Sequence, residues 1–305
     1  MLNYIIRRVL WAIPVLLIIS LVTFGLGHAI PGGPFDKEKP LPAEIIENLE
    51  AHYGLNDPLW KQYRDYLWKA LHGDLGPSYT SRSRTVNDIL STHFPVSAQL
   101  GVLALLVAMV IGIPLGMIAS LKQNTFIDYF CMFFALLGVS VPSMTLGPLL
   151  VWVFALKLNI LPVARWGTWQ QAILPAFTLG IGSAAILARL TRASMLQVIR
   201  EDYIRTARAK GVSEKNVTVH HALKNALIPV VTIIGPLFAT LVTGSLIVEQ
   251  IFAIPGCGKY FITSVTNRDY PVVLGIMLLY AFLIIVANLL VDITYSWIDP
   301  RIRYS

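Results

Sequence analysis

Few side chains in this sequence have the types and spacing that chemistry requires. Gly256-Cys257-Gly258-Lys259 sets glycines before a lysine, a combination that can cradle phosphate. A nucleotide loop needs G-x-x-x-x-G-K-[ST], and both the spacing and the hydroxyl are missing. His220 and His221 are adjacent. On a helix they point about 100° apart, unlike the i, i+4 pair that holds one metal. Cys131 lies in an apolar stretch and Cys257 in a Gly/Pro turn, a pattern of neither disulfide framework nor metal site. Neither G-x-S-x-G nor H-E-x-x-H occurs. The sequence therefore offers no catalytic set and no metal ligands.

The elements around these residues explain the scarcity. Only 13% of the 305 residues are charged and 55% are hydrophobic. Soluble domains carry roughly 25% charged residues, so the composition is that of a membrane protein. A bilayer core about 30 Å thick needs roughly 20 apolar residues in helical form. Windows free of Asp, Glu, Lys and Arg cover Val9–Ile30, Phe94–Leu121, Tyr129–Leu156, Trp166–Ala188, Asn225–Val248 and Tyr270–Val291. In lipid each backbone must satisfy its own hydrogen bonds, which predicts six helices. The first apolar run exceeds a signal-peptide core and is expected to stay as an anchor.

Orientation follows the flanking cations. With the N-terminus inside, the inner flanks hold Arg7, Arg8, Lys122, Arg189, Arg192, Arg200, Arg205, Arg208, Lys210, Lys215, Lys224, Arg301 and Arg303. The short outer loops hold only Lys157, Arg165, Lys259 and Arg268. Both termini are expected on the cytoplasmic side. This placement accounts for the net charge of +7 without nucleic acid, and no RNP or zinc-finger pattern appears. Asn216-Val217-Thr218 has glycosylation spacing but falls inside, where it is inert.

Ionisable groups are nearly absent from the windows; Glu249 and Asp292 stand at their edges. Channels and proton-coupled carriers keep intramembrane charges. A stand-alone carrier or a membrane enzyme is disfavoured on this ground. Small residues are frequent: Gly112-x-x-x-Gly116, Gly180, Gly182, Gly235 and Gly244 suit close helix packing. Pro114, Pro142, Pro148 and Pro236 interrupt spans, which is tolerated where backbone faces protein or a cavity.

Residues 31–93 form a long outer segment with nine acidic and seven basic residues between Asp36 and Asp88. Pro42 starts a helix that stops at Gly54. Asp57 caps a second, in which Trp60, Tyr63, Leu67 and Leu71 recur at helical spacing until Gly73. Thr85–Thr92 reads as a third short helix. A small helical subdomain is expected here.

The most basic central stretch, Arg189–Pro229, is broken by Gly211 into two helical halves. Ile204, Ala207 and Gly211 make a small-residue face ringed by Arg205, Arg208 and Lys210. Val217, His221 and Lys224 share a face of the second half. A membrane-surface helix needs a bulky apolar face, whereas a small one suits insertion into a protein groove.

The string "ARLTRASMLQVIREDYIRTARAKGV…HHALKNALIPV" resembles the cytoplasmic loop of ABC-importer permeases, specifically the oligopeptide/dipeptide group. The general loop reads E-A-A, three residues, Gly, nine residues, I-x-L-P. Arg205-Thr206-Ala207 stands at E-A-A, Gly211 at the glycine and Leu223-Lys224 at L-P. Further matching strings, in order, include "PGGPF", "HYGLNDPLWKQY", "HGDLGPSY", "VEQIFAIPGCGKYF", "NRDYP" and "VDITYSWIDPRIRY". The long outer segment is similar to that of the first of two permease subunits.

The resemblance implies an all-α membrane protein of the type I ABC-importer kind. Six transmembrane helices are expected, with a helical extracytoplasmic subdomain between helices one and two. Its parts would be 1–30, 31–93 and a permease core at 94–305, with a coupling loop at 193–226. It implies a peptide importer in a bacterial or archaeal cytoplasmic membrane. The expected partners are a homologous permease, two ABC ATPases, an extracytoplasmic peptide-binding protein and membrane lipid. No cofactor is expected in this chain; ATP and Mg would be bound by the ATPases. Arg205, Thr206, Ala207, Lys210, Gly211 and Leu223 would couple to an ATPase. Glu249, Pro255, Gly256, Gly258, Arg268 and Asp269 would form an outer loop near the pathway. Glutathione, oligosaccharides or nickel are the alternative cargoes.

Overall fold

The computed structural model describes residues 2–29, 35, 42–81, 83–243 and 245–298. Gly244, the 31–34 part of "PGGPF", and Arg301 and Arg303 of the C-terminal string lie outside the described residues, as does the side chain of Asp292. In chain order the helices are α1 (Leu2–Ala29), α2 (Ala43–Tyr53), α3 (Leu59–Leu71), α4 (Val86–Leu121), α5 (Phe126–Ser140) and α6 (Ser143–Leu150). α6 continues as a π-helix, Val151–Lys157. Then come α7 (Trp169–Val198) and α8 (Asp202–Ala209). α9 joins Glu214–Asn216, a π-helical stretch Val217–Leu223 and Lys224–Ala226. α10 (Ile228–Thr243), α11 (Leu246–Ile251), α12 (Cys257–Thr266) and α13 (Tyr270–Ile298) complete the order.

Five helical runs are long and apolar enough to cross a membrane: Ile6–Ala29, Val86–Leu121, Trp169–Val198, Ile228–Ile251 and Tyr270–Val291. The remaining window, Tyr129–Leu156, resolves into a pair, Phe126–Ser140 and Ser143–Lys157, bent by 104°. Pro142 sits at the bend with φ −59° and ψ 142°, an extended residue that cannot continue α5. The chain is thus all-helical over its described residues, with five to six candidate spans. Outward-facing apolar side chains fit a lipid surround: on α5, Phe126 is 80% exposed, and Phe130, Phe133 and Phe134 are exposed as well.

The chain divides into two compact units. One comprises Met1–Val96 and Pro255–Ile285. In it α2 starts after Pro42 and stops at Gly54, which takes φ 68° and lets Leu55 N–H reach Glu50 O at 2.9 Å. α3 starts differently from expectation. Pro58 is the capping residue, and Asp57 instead pairs with Lys61 at 2.9 Å. The expected short helix Thr85–Thr92 is corrected too: it is the first part of α4, which runs unbroken to Leu121. Thr85 caps it, its Oγ1 donating to Asp88 at 2.7 Å while accepting the Asp88 N–H at 3.2 Å. With the cap at 85, no second start is needed at Phe94.

The other unit is Ser97–Ile254 with Val286–Ser305. Here α4 and α7 cross closely. A Cβ on Gly112 or Gly116 would run into the carbonyl oxygens of Ala184 or Ala188, and one on Gly180 into that of Ala104. Ala108, Ala184, Leu187, Val230 and Leu237 form the core that this approach permits. α5 is fastened to α7 by Asp128, which is 2% exposed and receives Arg192 Nε and Nη2 at 2.7 and 2.6 Å. A bidentate pair of this kind fixes orientation as well as distance.

Candidate functional site

The segment from Ile199 to Leu227 is a wedge whose apolar side faces its own unit. Ile204 of α8 is fully buried with Met195, Val217, Ala222 and Ala226, and Ala207 and Leu223 pack against the same cluster. Burying an Ile side chain is worth about 1.5–3 kcal/mol, enough to hold a helix as short as α8 in place. Of the face expected to meet a partner, Ile204 is turned fully inward, whereas Ala207 is half-buried and Gly211 exposed. Their spacing is real, but Met195 and Val217 already occupy that side. The outward side is polar.

Val217, Ala222 and Ala226 are buried at intervals of five and four. A π turn places i and i+5 on one side, so the π-helical stretch is what aligns them. An α-helical reading of Val217, His221 and Lys224 as one face fails for this reason: His221 and Lys224 are exposed.

Polar ties set the outward face. Gly211 ends α8 with φ 80° and has open space where a side chain would begin. Across that turn Arg208 donates to both carboxylate oxygens of Glu214, at 2.8 and 3.3 Å. Asn225 Nδ2 donates to the Tyr203 hydroxyl at 2.7 Å, joining α8 to α9. Arg205 lies 3.5 Å from Asp202 with its side chain 72% exposed. Thr206 Oγ1 donates to Asp202 O at 3.0 Å, and Lys210 is exposed. Of the six residues expected to couple, Arg205, Thr206, Lys210 and Gly211 lie outward, and Ala207 and Leu223 support them from beneath. Tyr203, Asn225 and Glu214 were not anticipated. Glu214 alone carried a local signal, as an acidic residue opening a helix after Ser213.

The residues expected in the outer loop divide between the units. Glu249 is fully buried on α11 and accepts from Ser97 Oγ at 2.7 Å and from the Ser245 hydroxyl. In the other unit Pro255 O lies 2.8 Å from His93 Nδ1, and Gly256 and Gly258 are buried at the start of α12. Arg268 is half-buried with φ 54°. Asp269 is 2% exposed and accepts from Ser78 Oγ and from the N–H groups of Tyr79 and Thr80, at 3.0 and 3.1 Å for the latter two. It clamps the 78–80 turn. Burial, with the Asp269 charge second, pushes the Tyr79 phenol above its ordinary pKa. Among the described residues, no three His, Cys, Asp or Glu side chains gather as a metal site.

Comparison with known proteins adds a family. Residues 112–304 match the family described as "Binding-protein-dependent transport system inner membrane component", and residues 1–101 match its N-terminal companion. The dipeptide transport system permease protein of Bacillus subtilis is 46% identical over 99% of this chain and 98% of its own length. The oligopeptide transport system permease protein of Salmonella typhimurium is 46% identical over the whole of both chains. The glutathione transport system permease protein of Escherichia coli is 43% identical, again over both whole lengths. Among solved structures, an inward-facing methionine ABC transporter covers 69% of this chain and 96% of its own, with a TM-score of 0.56 at 17% identity.

Proposed function

The chain belongs to the binding-protein-dependent transport system inner membrane components, and we propose that it is the permease subunit of an ATP-driven importer of dipeptides or oligopeptides. The observation that carries this reading is full-length similarity to permeases of dipeptide and oligopeptide systems. In this reading a homologous permease completes the pathway, two ATPases supply the energy and bind ATP and Mg, and an external binding protein delivers the peptide. The chain is multi-pass in the cytoplasmic membrane with both termini inside, and it performs no catalysis itself.

The 193–226 loop transmits the ATPase cycle. Its outward polar face, Arg205, Thr206 and Lys210, meets the ATPase, and Ala207 and Leu223 set the height of that face. A rigid element gripped in two ATPase states biases the spans between two arrangements. Charges at such a rim add orientation and encounter rate more than affinity. The outer-loop residues act each within its own unit, Glu249 by fixing α11 and Asp269 by fixing the 78–80 turn.

The reading is tested in liposomes that hold this chain with its companion permease, ATPases and binding protein. ATP-dependent uptake of a labelled dipeptide or oligopeptide is expected, with nickel and oligosaccharides left outside. Uptake confined to glutathione or another solute would reassign the cargo while keeping the architecture. Within the same preparation Gly211→Val should separate hydrolysis from uptake, because positive φ is strained for a β-branched residue by about 1–2 kcal/mol or more. Normal uptake by that variant would remove the loop from the coupling route.

A further inference from the structure

α3 has three distinct sides. Gln62 and Tyr63 face α1: the Tyr63 hydroxyl meets Ser20 Oγ at 2.8 Å and donates to Leu17 O at 3.2 Å, and Gln62 Oε1 lies 3.3 Å from His28 Nε2. Asp65 and Lys69 line a cavity of about 450 Å³ with Asp57, His52 and Tyr53. Trp60, Arg64, Trp68 and Leu71 recur at i, i+4, i+8 and i+11 on the remaining side. There Trp60 is 65%, Trp68 66% and Leu71 81% exposed.

The contacts with α1 give this side a depth. The spanning part of α1, Ile6–Ala29, has 24 residues. It is about 36 Å long against a hydrocarbon core about 30 Å thick. Ser20 lies nine residues before Ala29, about 13 Å below the end of the helix. Gln62 meets His28, one residue before Ala29, while the Tyr63 hydroxyl reaches down to Ser20 and Leu17. So α3 lies beside the C-terminal half of the span, with its backbone near the bilayer boundary and its tyrosine pointing below it. α1 itself exposes Ile18, Leu21, Val22 and Leu26 along the same half of the helix that α3 contacts. Trp at the boundary, Arg64 stacked 5.5 Å over Trp60, and Lys61 and Lys69 on the polar flank match an interfacial helix.

We propose that α3 is an interfacial helix embedded in the leaflet at the C-terminal end of α1, with Trp60, Trp68 and Leu71 in lipid. The segment between the first two spans is then partly a membrane element. Tyr63 satisfies its hydroxyl on α1 because no water is available at that depth.

Nitroxide labels on Trp68→Cys and Leu71→Cys test this in the assembled complex, with Cys131 and Cys257 replaced by Ala. The bilayer is phosphatidylethanolamine with phosphatidylglycerol, and Glu47→Cys on the exposed side of α2 is the aqueous reference. Collisions with oxygen should dominate over those with a water-soluble nickel chelate at 68 and 71, placing both labels roughly 5–10 Å below the headgroups. The reference label should favour the chelate. If labels at 68 and 71 favour the chelate as at 47, the face is in water and the proposal fails. If they are shielded from both reagents, a protein covers the face and the proposal fails equally. Should either labelled chain be lost to misassembly, quenching of native Trp60 and Trp68 by brominated lipid, measured as the loss of quenching on Trp60→Phe with Trp68→Phe, gives the same decision. Cargo identity does not enter either outcome.

Discussion

At the 199–227 wedge, Ile204, Val217 and Ala222 are buried while Arg205, Arg208 and Lys210 are exposed. In the unit holding the 42–81 segment, Asp269 and Ser78 are buried while Trp60, Trp68 and Leu71 are exposed. One region hides apolar side chains and shows charge; the other buries a hydrogen-bonded carboxylate and hydroxyl beside apolar side chains such as Val86 and Ile276, and shows aromatic rings. The contrast follows from what each must meet. A charged face held up by a dry core suits a protein groove in water. An aromatic face on a helix tied to its neighbour by hydroxyl and amide bonds suits a lipid boundary, where each polar group needs an internal partner.

The comparison is broken most severely from the apolar side. Ile204→Ala removes a fully buried side chain, and the loss should be about 2–5 kcal/mol of local stability. Limited proteolysis after Arg205 and Arg208 should accelerate strongly, and uptake should collapse with the spans still inserted. Proteolysis at the wild-type rate would mean that the core under α8 does not set its position.

A smaller effect is expected at the polar tie of the other region. Asp269→Ala leaves Ser78 Oγ and the Tyr79 and Thr80 N–H groups without this acceptor, at a cost of about 1–3 kcal/mol. Amide exchange should quicken at residues 79 and 80 and stay unchanged at 204–217. Spread of the change into the wedge would show that the two regions are not separately built.

The smallest stability change should come from Arg205→Ala, within about 0.5 kcal/mol, because the side chain is largely exposed. Its expected signature is kinetic: slower capture of the ATPase at low salt, and a wild-type rate at high salt. A large loss of thermal stability would place Arg205 in the fold instead of on the surface.

The spans were legible because runs of about 20 apolar residues permit few alternatives. The break at Pro142 and the stop at Gly54 were legible because proline and glycine act through their own backbone limits, but Pro114, Pro148 and Pro236, expected to interrupt spans as well, lie inside α4, α6 and α10. Other features had no local signal. Val217, Ala222 and Ala226 are spaced for a π turn, which an α-helical period reads as noise. Ser78 and Asp269 stand 191 residues apart, and Tyr63 and Ser20 stand 43 apart. The wedge misled in an instructive way. Its small-residue face was visible, but sequence periodicity says only that a face is buried, not against which partner. Thr85 misled because a good cap starts a helix of any length, and here it starts one that runs to Leu121.

The central claim is that the polar side of α8 meets an ATPase while its apolar side stays within this chain. A photo-crosslinking amino acid placed at Thr206, in the assembled and hydrolytically active complex, tests it directly. The expected result is a covalent adduct with the ATPase from position 206 and an internal adduct only from position 204. An ATPase adduct from 204 with none from 206 would contradict the account.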